Sequence, residues 1–135
     1  MVENRHRALH QFVMERAGDS YRTAFYYHAD GWETLHVRED VATEQLEESV
    51  PKAVERAREK RAFLRGEEYP PLGDTTATTE VHENGVIIHF PEKDREGVLI
   101  SLDRDAAQKL ASFVDQAISV LETHTSEYRT ESVTD

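Results

Sequence analysis

Six basic residues crowd into the stretch 52–65: Lys52, Arg56, Arg58, Lys60, Arg61 and Arg65. The chain around them carries 27 acidic residues against 16 basic ones, a net charge of −11. Cations gathered against that background could dock an acidic protein surface, or the phosphates of a nucleotide or nucleic acid. On a helix, Lys52, Arg56 and Lys60 would form one row, with Arg58, Arg61 and Arg65 beside it. The plainer reading is a solvated face neutralised by Glu55, Glu59, Glu67 and Glu68. Nucleic acid is not the partner expected. No recognition helix or RNA-binding motif accompanies the stretch, and concentrated salt would screen the attraction.

The aromatic residues are a second candidate. Tyr21, Thr23, Phe25 and Tyr27 alternate along an extended run, which places them on one strand face, with Tyr26 on the other. With Trp32 across a turn, Phe25 and Tyr27 could line a small-molecule pocket. The alternative is that they fill the core.

The histidines are a third. His6 and His10 stand at i, i+4, a spacing able to hold a metal, but no third ligand follows at a recognisable distance. His82 and His89 flank one turn and could approach each other. No metal site is expected, and no cofactor. With 27 acids, adjacency of carboxylates means nothing; only Glu33, between Trp32 and Leu35, has apolar neighbours, and it is expected to face outward. The chain contains no GxGxxG, GxxxxGK[ST], HExxH, GxSxG or EF-hand loop. No catalytic residue is assigned, and an enzyme is not expected.

These residues need elements to hold them. Leu9, Phe12, Val13 and Ala17 share one face of a helix over Arg5–Ala17. Ser20–Tyr27 and Trp32–Arg38 read as strands around a turn at 28–31, a hairpin. Val41–Leu64 reads as helical, with acids near its start where the helix dipole favours them. Pro51 should split it into a short helix near 42–49 and a longer one over 51–64. A stiff linker at 66–73 follows. Thr75–His82 is a polar strand, including Thr75, Ala77 and Thr79, and the expected edge of the sheet. Glu83-Asn84-Gly85 is a tight turn, Val86–Phe90 and Gly97–Leu102 are buried strands, and Asp103 should cap a final helix. That helix carries Ala106, Leu110, Phe113, Val114, Ala117, Ile118 and Leu121 at helical spacing. The fold class is therefore α+β: a five-strand antiparallel sheet in the order α-β-β-α-β-β-β-α, one domain over 1–122, and a flexible polar tail at 123–135. The expected core is Phe12, Phe25, Leu35, Val37, Val86, Ile88, Val98, Ile100, Leu102 and the last helix.

Composition bounds the rest. The 135 residues include no cysteine, so disulfides and thiolate chemistry are excluded. No apolar run is long enough for a membrane span, and the N-terminus shows no signal peptide. Twelve of the 16 basic residues are arginine. Acidic excess, scarce lysine and abundant threonine are the pattern of a protein adapted to a salty cytoplasm, where carboxylates retain water and cations.

The element order is similar to the roadblock/LC7 fold, and also to profilin-like and longin-like platforms. The roadblock resemblance implies a homodimer that serves as a scaffold or regulatory module. A PAS-like sensor domain shares the hairpin, helices and three-strand meander, and implies a ligand pocket. Gly31-Trp32-Glu33, Leu35–Val41 and Gly97–Asp103 resemble segments of an uncharacterised haloarchaeal family, which implies an origin but no activity. The resulting expectation is a non-enzymatic interaction module, a homodimer with a possible protein partner, joined through the strand at 75–82 and the basic helix.

Overall fold

Val98, Ile100 and Leu102 are buried on one side of a strand, while Leu99 packs on the other. That alternation gives one sheet two apolar layers. The computed structural model describes residues 3–59 and 61–123. Its elements are α1 (Asn4–Ala17), β1 (Tyr21–His28), β2 (Gly31–Val37), α2 (Glu44–Glu59), β3 (Thr78–His82), β4 (Gly85–Pro91), β5 (Gly97–Leu102) and α3 (Gln108–Thr123), with 3-10 turns at Gly18–Ser20, Glu39–Val41 and Arg104–Ala107. The five strands form one antiparallel sheet in the order β2-β1-β5-β4-β3. The expected fold class is thus observed. The central strand, β5, pairs with β1, which comes from a distant part of the chain.

One layer joins Tyr21, Ala24, Tyr26, Val86, Val98, Ile100 and Leu102 to Leu9, Val13 and Ala17 of α1 and to Ala107. The other joins Phe25, Tyr27 and Leu99 to Val50, Val54 and Ala57 of α2. α1 therefore covers one face and α2 the opposite one.

α2 is one helix, not two. Thr43 caps it: its Oγ1 accepts from the Leu46 N–H at 3.3 Å. Pro51 lies inside and removes one internal hydrogen bond, at a cost of about 3 kcal/mol. The buried stripe Val50, Val54 and Ala57 spans the proline and returns about 1.5–3 kcal/mol for each large side chain, which outweighs the break. The helix then ends at Glu59, five residues earlier than its pattern suggests.

Several other expectations are corrected. The register of β1 shifts twice, once against β2 and once against β5. The shift between Tyr21 and Thr23 turns Tyr21 to the α1 face, beside Ala24 and Tyr26 and away from Phe25 and Tyr27. Phe12 is 52% exposed and lies under the Arg16 guanidinium instead of in the core. Asp103 precedes the 3-10 turn but makes no side-chain cap; its carboxylate is drawn to Arg22 and Arg38. Leu110 and Ile118 of α3 are exposed. The side chains of Phe113, Val114, Ala117 and Leu121 lie outside the described residues, as do Lys60 and the tail 124–135. Among the described residues, no helix is long and apolar enough to cross a membrane.

Candidate functional site

α2 packs on the sheet and leaves an open cleft on its β3–β4 side. Ser49, Lys52, Ala53, Arg56 and Ala57 form the helical wall, and Thr78, Glu80 and His82 of β3 the opposite one. Ile87, His89 and Leu99 form the floor, and the cavity holds about 340 Å³. Each wall follows from a period. Lys52 and Arg56 are one helical turn apart, on the same side of α2. Thr78, Glu80 and His82 alternate with Thr79 and Val81, so all three point to the α2 face.

The floor is fixed by a buried hydrogen bond. The Tyr27 hydroxyl meets Nε2 of His89 at 2.8 Å, and the two rings lie 5.9 Å apart. Burial raises the Tyr27 phenol above its ordinary pKa. Gly97 makes room for this pair. A Cβ there would meet the Tyr27 hydroxyl at 2.5 Å and the Phe90 carbonyl oxygen at 2.8 Å.

The six cations of the basic stretch do not form one face. Lys52 and Arg56 line the cleft. Arg58 turns inward, only 10% exposed, and donates to the backbone oxygens of His28 and Gly31 and to Glu55. Arg61 and Arg65 lie beyond the end of α2, and Arg65 pairs with Glu67 and Glu68. Thr75 and Ala77 precede β3 and belong to no strand; only Thr79 lies in it.

Phe25 and Trp32 line a separate groove of about 290 Å³ on the β2 side of α2, with Val37, Leu46 and Val50. Tyr27 is not part of it. The three aromatics are therefore divided between that groove and the core.

The histidines also separate. His6 is buried, packs its ring at a tilt against Tyr26 with centroids 4.1 Å apart, and bonds Glu92 at 3.1 Å. Burial pushes the Glu92 carboxyl up, but Arg5 and His6 outweigh it, and the net direction is down. His10 bonds the Tyr21 hydroxyl at 3.0 Å, and its pKa is lowered by burial and then by nearby His36. His6 and His10 thus dock α1 on the sheet. His82 and His89 share the cleft, but His82 bonds Glu80 at 3.0 Å while His89 bonds Tyr27. Among the described residues no three metal-ligating side chains converge.

Sequence reasoning missed Arg38. It donates to Asp40, to Asp103 at 2.7 Å and to the Asp19 carbonyl at 2.6 Å, tying the end of β2 to the end of β5. No local signal marks that tie, because Asp19 and Asp103 lie far from Arg38 in the chain. The grouping of Lys52 and Arg56 with His82 and His89 was findable. It follows from two periods once α2 is laid on the sheet.

The fold and the cleft define a class: an open antiparallel sheet covered on both faces, with one exposed edge beside a cationic cleft. The chain belongs to the family described as "Domain of unknown function (DUF7522)", which matches residues 7–122. No curated protein matches it.

Proposed function

We propose that the protein is a non-enzymatic interaction module that pairs with a second copy of itself along β3. The observation that carries this reading is the position of β3. Among the described residues it ends the sheet, with β4 as its one neighbour. Thr79, Glu80 and His82 are exposed, and the backbone hydrogen bonds of the preceding segment 65–73 are internal to it. A free row of N–H and C=O groups invites strand pairing. The dispersal of the basic stretch supports a protein partner over nucleic acid, which would favour a continuous cationic stripe.

The outward groups can be assigned. The β3–β4 turn closes on His82 and Gly85. Bonded and non-bonded pairs then alternate, so Thr79 and Val81 direct their N–H and C=O away from β4. Thr79→Pro removes an outward donor and no ladder bond. Light scattering of this variant should give the monomer mass where the parent gives the dimer, with the unfolding midpoint retained. A parent that is already a monomer, or a dimer that survives the proline, rejects the proposal.

The charge of −11 supports concentrated salt as the working solvent. The denaturation midpoint should climb as KCl is raised, because salt screens the repulsion among carboxylates. A midpoint indifferent to KCl would argue for an ordinary acidic protein.

A further inference from the structure

We propose that the cleft between α2 and the β3–β4 ladder binds a small organic anion, a carboxylate carried on an apolar body. This goes beyond pairing through β3 and does not rest on it.

Lys52 and Arg56 stand together over the cleft. Among the described residues neither forms an ion pair, whereas Arg58 on the same helix is committed to Glu55 and two carbonyls. The one acid at the cleft, Glu80, is already bonded by His82. A molecule of net charge −11 thus keeps two uncommitted cations side by side at one concavity. Their chemistry is complementary: Arg56 offers a planar fork that can hold both oxygens of a carboxylate, and Lys52 a mobile point charge.

The floor decides the rest of the ligand. Ile87 and Leu99 present apolar surface beneath the cations. Burying an apolar body there contributes roughly 25 cal/mol per Å², which a bare inorganic anion could not gain. The volume of about 340 Å³ sits at the small end of ligand sites, which run from about 300 to 1,000 Å³. That suits a compact molecule. The Tyr27–His89 bond anchors His89 in that floor.

The test is a methyl and amide NMR titration of the full chain with hexanoate, hexanol and inorganic phosphate. Hexanoate should shift Ile87, Leu99, Ala53 and Ala57 saturably. The double variant Lys52→Glu/Arg56→Glu should weaken hexanoate about tenfold or more, equivalent to about 1.4 kcal/mol, and leave hexanol unchanged. Both side chains are exposed, so the variant should fold as the parent does. Lys52→Gln/Arg56→Gln should give an intermediate loss and guards against a defect caused by added acid. Equal affinity for hexanol and hexanoate would overturn the proposal. So would hexanoate shifts outside the cleft, no hexanoate shifts at all, or insensitivity to both double variants. Phosphate that saturates the Lys52 and Arg56 signals while the methyls stay still, with hexanoate no tighter, would also overturn it.

Discussion

The two edges of the sheet are built differently. β2 is held at both ends by buried or half-buried arginines. Arg58 reaches from α2 to the carbonyls of His28 and Gly31 at the β1–β2 turn, at 2.7 and 3.0 Å. Arg38 ties the other end to Asp103 and Asp19. Among the described residues, β3 is not held at both ends by arginines. Its turn receives one exposed hydrogen bond, from Arg104 to the Glu83 carbonyl at 3.2 Å, and its His82–Glu80 contact lies within the strand. The difference teaches that the two edges of one sheet need not be secured alike: the first is clamped by arginines at both ends, and among the described residues the second is not.

The comparison breaks most visibly on mass. Thr79→Pro on β3 should halve the particle, and Thr34→Pro on β2 should leave it unchanged. By alternation from the His28–Gly31 closing pair, Thr34 also directs its N–H outward, so the two prolines are matched. Equal effects would erase the distinction between the edges. Next comes Arg58→Ala, which should lower unfolding stability by about 2–3 kcal/mol in denaturant titrations, because a nearly buried charged donor to two carbonyls is lost. Arg58→Lys should recover only part of this, since an ammonium cannot span both carbonyls as the fork does. A neutral Arg58→Ala would show that the β2 edge is not pinned there.

The smallest effect concerns the other pin and is read against pH. The hydrogen bond from Arg38 holds the Asp103 carboxyl below its ordinary pKa against the opposing push of burial, with further help from Arg22. A depressed carboxylate stabilises the fold fully above its unfolded value of about 3.9 and loses that contribution as pH falls through the folded value. Asp103→Asn should therefore cost up to about 1 kcal/mol at neutral pH, as for a partly exposed pair. It should also flatten the acid limb below about pH 4. An unchanged acid limb would place the acid sensitivity elsewhere.

Much of the architecture was legible in the chain. The short apolar runs Val86–Phe90 and Gly97–Leu102, with the tight turn at Glu83-Asn84-Gly85 and the charged loop at 91–96, carried the β-meander. The helical stripe on α2 carried its buried face. The boundaries failed where distant packing overrode a local rule. Pro51 reads as a break, yet Val50, Val54 and Ala57 hold the helix together across it. The run 75–77 has the composition of the strand that follows, but pairing with β4 begins only at Thr78. Tyr21 changed face because a strand irregularity is invisible in an alternating pattern. The site was half legible. Lys52 and Arg56 stood out as cations, but their neighbours His82 and His89 could be grouped with them only through the tertiary placement of α2. Arg58 looked like their equal and proved to be a structural clamp.

The strand order has a further consequence, for the time course of folding. β1–β2 and β3–β4–β5 each close through short turns, so each can zip soon after it is made. The sheet becomes one object only when β5 slides in beside β1, joining Tyr27 to Gly97 and Tyr21 to Leu102. That step closes a loop spanning most of the domain and bears its entropy before any reward arrives. During synthesis the ribosome must release β5 before β1 can acquire its second neighbour. Until then Tyr26 and Phe25 wait on a half-covered hairpin, the stage at which the nascent chain is most exposed to aggregation.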